Sequence, residues 1–111
     1  MNHGYYDRSH LGKFGDVGAA RPELAEKFFA YYGAVMGEGA LSKREKALIA
    51  LAVAHAIQCP YCIDAYTKNG LEAGADIDQL TEAVHVASAI RGGASLVHGM
   101  QMRQHHDEVS M

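Results

Sequence analysis

A chain of 111 residues holds one domain, and a domain of that size has so modest a core that oligomerisation is a common way to bury more surface. Apolar residues make up 49% and charged residues 21%, the mix of an ordinary globular protein, which excludes a disordered chain. The net charge of −3, with no clustered basic face, argues against a nucleic-acid or anionic-membrane surface.

The opening MNHGYYDRSHLGKFGD lacks the apolar stretch of a secretory leader, and the longest apolar run, ALIALAVA over 47–54, is too short to span a bilayer. The expected location is therefore the cytosol. No segment sustains the alternation of a strand and nearly all carry helical signals, so the expected fold is all-α, a bundle of about five to six helices in a single domain over 1–111. Arg21 and Pro22 open a first helix, PELAEKFFAYYGAVM, with Leu24, Phe28, Tyr31, Tyr32 and Val35 at helical spacing. Gly33, Gly37 and Gly39 end or loosen it. Ser42 to Glu45 reads S-K-R-E, a capping box that starts a second helix running to about Gln58. From Ala47 to Ile57 this helix is apolar nearly all round except at His55, so it must be covered on all sides by the domain or by another subunit.

Pro60 interrupts that helix, because proline lacks the amide donor and pushes the residue before it out of the α region. A third helix is expected from Pro60 to near Gly74. Asp76 and Gln79 cap a fourth, running through Ile90 and breaking at Gly92 and Gly93. A last helix, ASLVHGMQMRQ, leads into a polar tail, HHDEVSM. The glycines of IRGGAS are not a phosphate cradle, because no strand precedes them.

Both cysteines fall in QCPYCIDAY. In a reducing cytosol a lone structural disulfide is disfavoured, and a close pair points to redox chemistry or metal binding. With Pro60 as the first helical residue, Cys59 sits at the N-cap and Cys62 in the first turn, where free amides and the helix dipole favour negative charge. That placement raises the thiolate fraction, and the thiolate is the nucleophile. The spacing also lets the sulfurs meet in a disulfide, so one cysteine can attack and the other resolve. Packing as small buried hydrophobes is the plainer alternative. CPYC also resembles the glutaredoxin motif, but that motif follows a strand, whereas an Ala-rich helix precedes it here. A zinc site would draw on His55, Cys59 and Cys62 with His85 or His98, without the second ligand pair of a finger.

His55, about one turn before Cys59, is either a base or ion-pair partner for a thiol or a neutral imidazole bonded to a backbone carbonyl. Tyr66, one turn after Cys62, either offers its hydroxyl to the sulfur or packs in the core. Glu45 is a candidate acid that the capping box already explains. His85, on the apolar stripe of EAVHVASAI, is a core histidine or a proton relay.

The run EKALIALAVAHAIQCPYCIDAYT, with TEAVHVASAIRGGASLVHG downstream, resembles the carboxymuconolactone decarboxylase and alkyl hydroperoxidase D superfamily over roughly 22–102. The resemblance implies an all-α fold and trimers or hexamers of the chain; no cofactor is expected. From its redox branch, Cys62 would attack a hydroperoxide, Cys59 would close the disulfide, and an external dithiol would reset the pair. Peroxidase members carry Glu where this chain has Ala47 and His where it has Tyr66, which leaves His55, Glu45 and Tyr66 as candidate substitutes. The resemblance also leaves a carboxymuconolactone decarboxylase-like enzyme as an alternative, the weaker inference because the decarboxylase branch lacks the cysteine pair. CPYCIDAYT with HVASAIRGGASLVHGMQM is most similar to the arsenosugar-biosynthesis-associated peroxidase-like subgroup, which implies a setting of arsenic metabolism. Two alternatives to turnover stand beside it: a vicinal dithiol, alone or with His55, that holds a soft metal or, as the resemblance implies, an arsenic(III) species, or an inert assembly subunit.

Overall fold

In the computed structural model, residues 7–111 are described, and every regular element among them is helical. The first was not expected from the sequence: a 3-10 helix over Arg8–Ala20. Asp7 caps it, its Oδ1 accepting from the Ser9 amide at 2.9 Å and from the Ser9 hydroxyl at 2.7 Å. A 3-10 helix stacks side chains i and i+3 directly over one another, which normally keeps it short. Here Gly12, Gly15 and Gly18 recur at that spacing and remove the crowding from one stripe. The neighbouring stripe lays Phe14 edge-to-face on Phe29, ring centres 5.3 Å apart. Gly18 approaches the next helix so closely that a Cβ would collide with the Ala25 Cβ.

Helix α1 spans Pro22–Met36 as expected, with Pro22 at its start. Its last carbonyls are met by a cation from the next helix: Lys46 Nζ donates to Val35 O and Gly37 O, each at 2.6 Å. Helix α2, Lys43–Ala56, carries the expected capping box, with Ser42 N donating to Glu45 Oε1 at 2.7 Å and Glu45 N to Ser42 Oγ at 3.1 Å. It buries Ala47, Leu51 and Ala54, while Ile49, Val53 and Ile57 stay exposed. The chain alone thus covers one side of the helix that the sequence required to be covered all round.

Helix α3, Pro60–Glu72, ends in a turn closed by Gly74 at φ +95°, where Gly74 N donates to Leu71 O and Ala75 N to Gly70 O. Gly70 admits the Leu80 side chain, which a Cβ there would approach to 2.9 Å. Leu51, Tyr66, Ala75 and Leu80 form the core where α2, α3 and α4 meet.

Helix α4 corrects the expected break. It runs unbroken through Ile77–Ser110 for 34 residues, past Gly92 and Gly93, and takes in the stretch read as a separate last helix and polar tail. Each glycine costs about 1 kcal/mol of helix propensity, less than ending one helix and nucleating another. No proline stands there to force a stop. Its capping box at Asp76 and Gln79 is the expected one. Arg91 Nη1 donates to Ala56 O at 2.6 Å, fixing α4 to the end of α2. Past Arg91 every residue of the helix is exposed except Gly93 and Gly99, which are half-buried. Among the described residues no helix is long and apolar enough to cross a membrane.

A Cβ at Gly92 or at Gly93 would meet nothing within 4 Å. Gly92→Ala is therefore expected to raise unfolding stability by about 0.5–1 kcal/mol in a urea titration; a loss of stability would restore the broken helix.

Candidate functional site

The site begins with how α2 stops. Ala54, His55 and Ala56 still hold helical bonds, but Gln58 turns left-handed at φ +58°. Its amide donates to His55 O at 3.2 Å, and the Cys59 amide reaches back to Ala54 O at 2.9 Å. These two bonds define the same helix-ending motif that Gly74 makes after α3, here with a residue that carries a side chain. Helix α2 accordingly ends at Ala56, two residues before the expected Gln58.

Pro60 then starts α3, and Cys59 occupies the N-cap as the spacing predicts, its Sγ accepting from the Cys62 amide at 3.2 Å. The two Cα atoms lie 5.3 Å apart, and the sulfurs are joined in a Cys59–Cys62 disulfide. Both residues are half-buried and face a cavity of about 490 Å³. From α3, Tyr61, Ala65 and Tyr66 complete one wall, and Tyr32 of α1 stands beside them. His10, Lys13, Phe14 and Val17 of the 3-10 helix form the other wall. Partial burial pushes the Tyr32 hydroxyl above its ordinary pKa.

Of the residues singled out in the sequence, Cys59, Cys62 and Tyr66 come together at this cavity. Tyr66 is also 7% exposed in the core cluster, so its two readings coexist. His55 does not line the cavity. Its half-buried ring donates from Nδ1 to Leu51 O at 2.9 Å, one turn back in its own helix; a carbonyl only accepts, which fixes the proton on Nδ1. Glu45 stays in its capping box, where the hydrogen bond from the Ser42 backbone, followed by that from its side chain, lowers its pKa. His85 and His98 are exposed on α4 rather than in the core. Among the described residues no three potential ligands gather, so the zinc set of His55, Cys59 and Cys62 with His85 or His98 is not assembled.

The sequence reading missed the wall built by the 3-10 helix. Its signal was present in HLGKFGDVGAA, where glycine recurs every third residue and places His10 with Lys13, and Phe14 with Val17, on separate stripes. A period of 3.6 or 2 does not detect that repeat.

Fold and site together define an all-α protein with a Cys-x-x-Cys pair at a helix start. The chain belongs to the carboxymuconolactone decarboxylase family, whose model matches residues 22–103. It is similar to a protein of Paracoccus denitrificans described as uncharacterized protein 4 in the cox locus, with 39% identity over 95 residues covering 86% of each chain. A crystal structure of a protein from Methanobacterium thermoautotrophicum superposes with a TM-score of 0.72 at 37% identity, covering 76% of this chain and 94% of that one. The apo structure of a carboxymuconolactone decarboxylase family protein from Legionella pneumophila gives 0.67 at 33% identity, covering 81% and 85%.

The Glu45 carboxylate allows its structural role to be isolated. A carboxyl whose pKa is lowered on folding adds stability above its unfolded value, and that stability is lost as pH falls through the folded value. Since Gln also completes a capping box, the stability difference between the native chain and Glu45→Gln should be full at pH 7 and should shrink as pH falls below the ordinary glutamate value of 4.5. Thermal melts across pH 3–7 measure it, and cysteine alkylation should be identical in the two.

Proposed function

We propose that the protein is a cytosolic thiol–disulfide oxidoreductase with peroxidase-like chemistry, in which Cys62 attacks and Cys59 resolves. The observation that carries this reading is the Cys59–Cys62 disulfide at the start of α3, on the wall of a cavity lined by Phe14, Val17, Ala65 and three tyrosines. Cys62 lies in the first turn, where unpaired amides and the helix dipole stabilise a thiolate over a thiol. Cys59 at the N-cap is close enough to close the disulfide without moving the backbone. An apolar wall suits an organic hydroperoxide better than a small hydrated oxidant, and an external dithiol returns the pair to its reduced form. Membership of the family supports the reading in its coarse form.

Cys62→Ser is expected to abolish dithiol-dependent consumption of cumene hydroperoxide, while Cys59→Ser should stop after one oxidation at the sulfenic acid. Turnover that survives in Cys62→Ser would remove the assignment. A second reading rests on the same 5.3 Å spacing: the reduced pair presents two thiolates to one thiophilic centre, which fits the resemblance to the arsenosugar-associated subgroup. Stoichiometric binding of arsenite by the reduced protein, with no hydroperoxide turnover, would select it.

The partner of the remaining surface is a further set of copies of this chain. The chain exposes 8528 Å², against roughly 6,000 Å² for a compact monomer of its mass. Its radius of gyration is 18.8 Å, against about 13 Å for a compact chain of this length. The excess exceeds what a stable interface takes from each partner, about 800 Å². Apolar residues supply much of it, among them Leu24, Tyr31, Val53, Ile57, Leu96 and Met100. Sedimentation at micromolar concentration is expected to give a trimer or hexamer, and a monomer there would reject the assembly.

A further inference from the structure

The redox reading leaves a chemical requirement that its two cysteines do not meet. A thiol must lose a proton to become the nucleophile, and the alkoxide released from a hydroperoxide must gain one. The side chain that does both has to accept as well as donate. Of the titratable groups on the cavity wall other than the cysteines, Lys13 is an ammonium that only donates, and Tyr32, Tyr61 and Tyr66 are phenols, which hold their protons near neutrality. His10 is the one imidazole among the residues that line it.

His10 is held on both sides. Its Nε2 lies 3.6 Å from Asp7 Oδ2, and its Nδ1 lies 3.4 Å from the Tyr61 hydroxyl. The carboxylate favours the proton on Nε2, which leaves Nδ1 as an acceptor from Tyr61. Tyr61 is itself positioned between the two cysteines in the first turn of α3. The Asp7 carboxyl is kept ionised by Ser9, whose side chain and then amide donate to it, and the Lys13 ammonium acts in the same direction. The ring is 57% exposed, so it touches solvent as well as the cavity and can exchange its proton with water between turnovers.

We propose that His10, oriented by Asp7 and bonded to Tyr61, is the proton-transfer group of the Cys59–Cys62 cavity. The proposal rests on the redox reading for its reaction, but it makes a claim about thiol activation that is tested without any peroxide. In the cycle, the Cys62 thiol proton passes across the cavity to His10 Nδ1, the ring nitrogen on the Tyr61 side. The thiolate sulfur attacks the distal oxygen of the hydroperoxide, the O–O bond breaks as an S–O bond forms, and the alkoxide takes the proton back from His10 and leaves as alcohol. Cys59 as thiolate then attacks the Cys62 sulfenic acid, its own proton leaving with the hydroxide as water. The external dithiol supplies two electrons and two protons to reopen the disulfide. His10 lies outside residues 22–103, so the region matched by the family model holds the cysteines without it.

The test uses the full chain, fully reduced, as native protein, His10→Ala, His10→Gln and Tyr61→Phe. Cys62 alkylation by iodoacetamide is followed across pH 5–9, and single-turnover thiol oxidation by cumene hydroperoxide is followed by free-thiol counting. His10→Ala should slow hydroperoxide oxidation about a hundredfold and erase one limb of the native alkylation profile. Added imidazole should restore part of the rate in His10→Ala, which a loss of packing alone would not permit. His10→Gln, which keeps polar contacts without proton transfer at the ring, should be as slow as His10→Ala without imidazole. Unchanged alkylation profiles and oxidation rates in both His10 variants would overturn the proposal and leave the redox reading standing. A native protein inert to hydroperoxide would end the peroxidase reading, and the alkylation profiles would still decide the role of His10.

Discussion

The turn between α2 and α3 is the constraint on which the site depends. The Cys59 amide bonds Ala54 O, which requires Gln58 to adopt the left-handed conformation at φ +58°. A side chain there costs about 1–2 kcal/mol, and the matching position after α3 avoids that cost with Gly74. Three features offset it at Gln58: the two backbone bonds that close the turn, Pro60, whose fixed φ suits the first position of a helix, and Arg91, which bonds Ala56 O from the neighbouring helix. Together they leave Cys59 at the N-cap and Cys62 in the first turn.

The same turn sets α2 against α3, and the core follows from that contact. Leu51 is 2% exposed, and full burial of such a side chain stabilises by about 1.5–3 kcal/mol. It packs with Tyr66 and Leu80, so one residue of the cavity wall is also a core residue. The wall beside the cysteines is thereby held by the packing of three helices. The opposite wall is held differently. The 3-10 helix rests on α1 through Phe14 and Phe29 and through the close approach of Gly18 to Ala25. One cavity thus joins a core-packed half that carries the sulfurs to a half that carries an imidazole and an ammonium.

Local chemistry made much of this legible from the residues alone. The capping boxes at Ser42 and Asp76, Pro22 and Pro60 at helix starts, and the N-cap position of Cys59 are each decided within four residues of chain, and each stands where the sequence placed it. Gly92 and Gly93 misled because glycine weakens a helix without ending one, and no other stop signal reinforced them. The 3-10 helix escaped because its glycine period of three fits neither an α-helix nor a strand.

The sequence by itself determined an all-α chain, the starts of α1 to α4 and the family to which it belongs, since caps, prolines and apolar spacing act through near neighbours along the chain. Only the tertiary structure decided which side chains meet at the cysteines. His55 and Glu45 are nearer in sequence to Cys59 than His10 is, yet their side chains are engaged by Leu51 O and by the Ser42 cap. His10 reaches the cavity because α1 folds the 3-10 helix back over α3, bringing it to Tyr61 across 51 residues of chain. Contacts of that range depend on how helices pack, and no local pattern of residues encodes them.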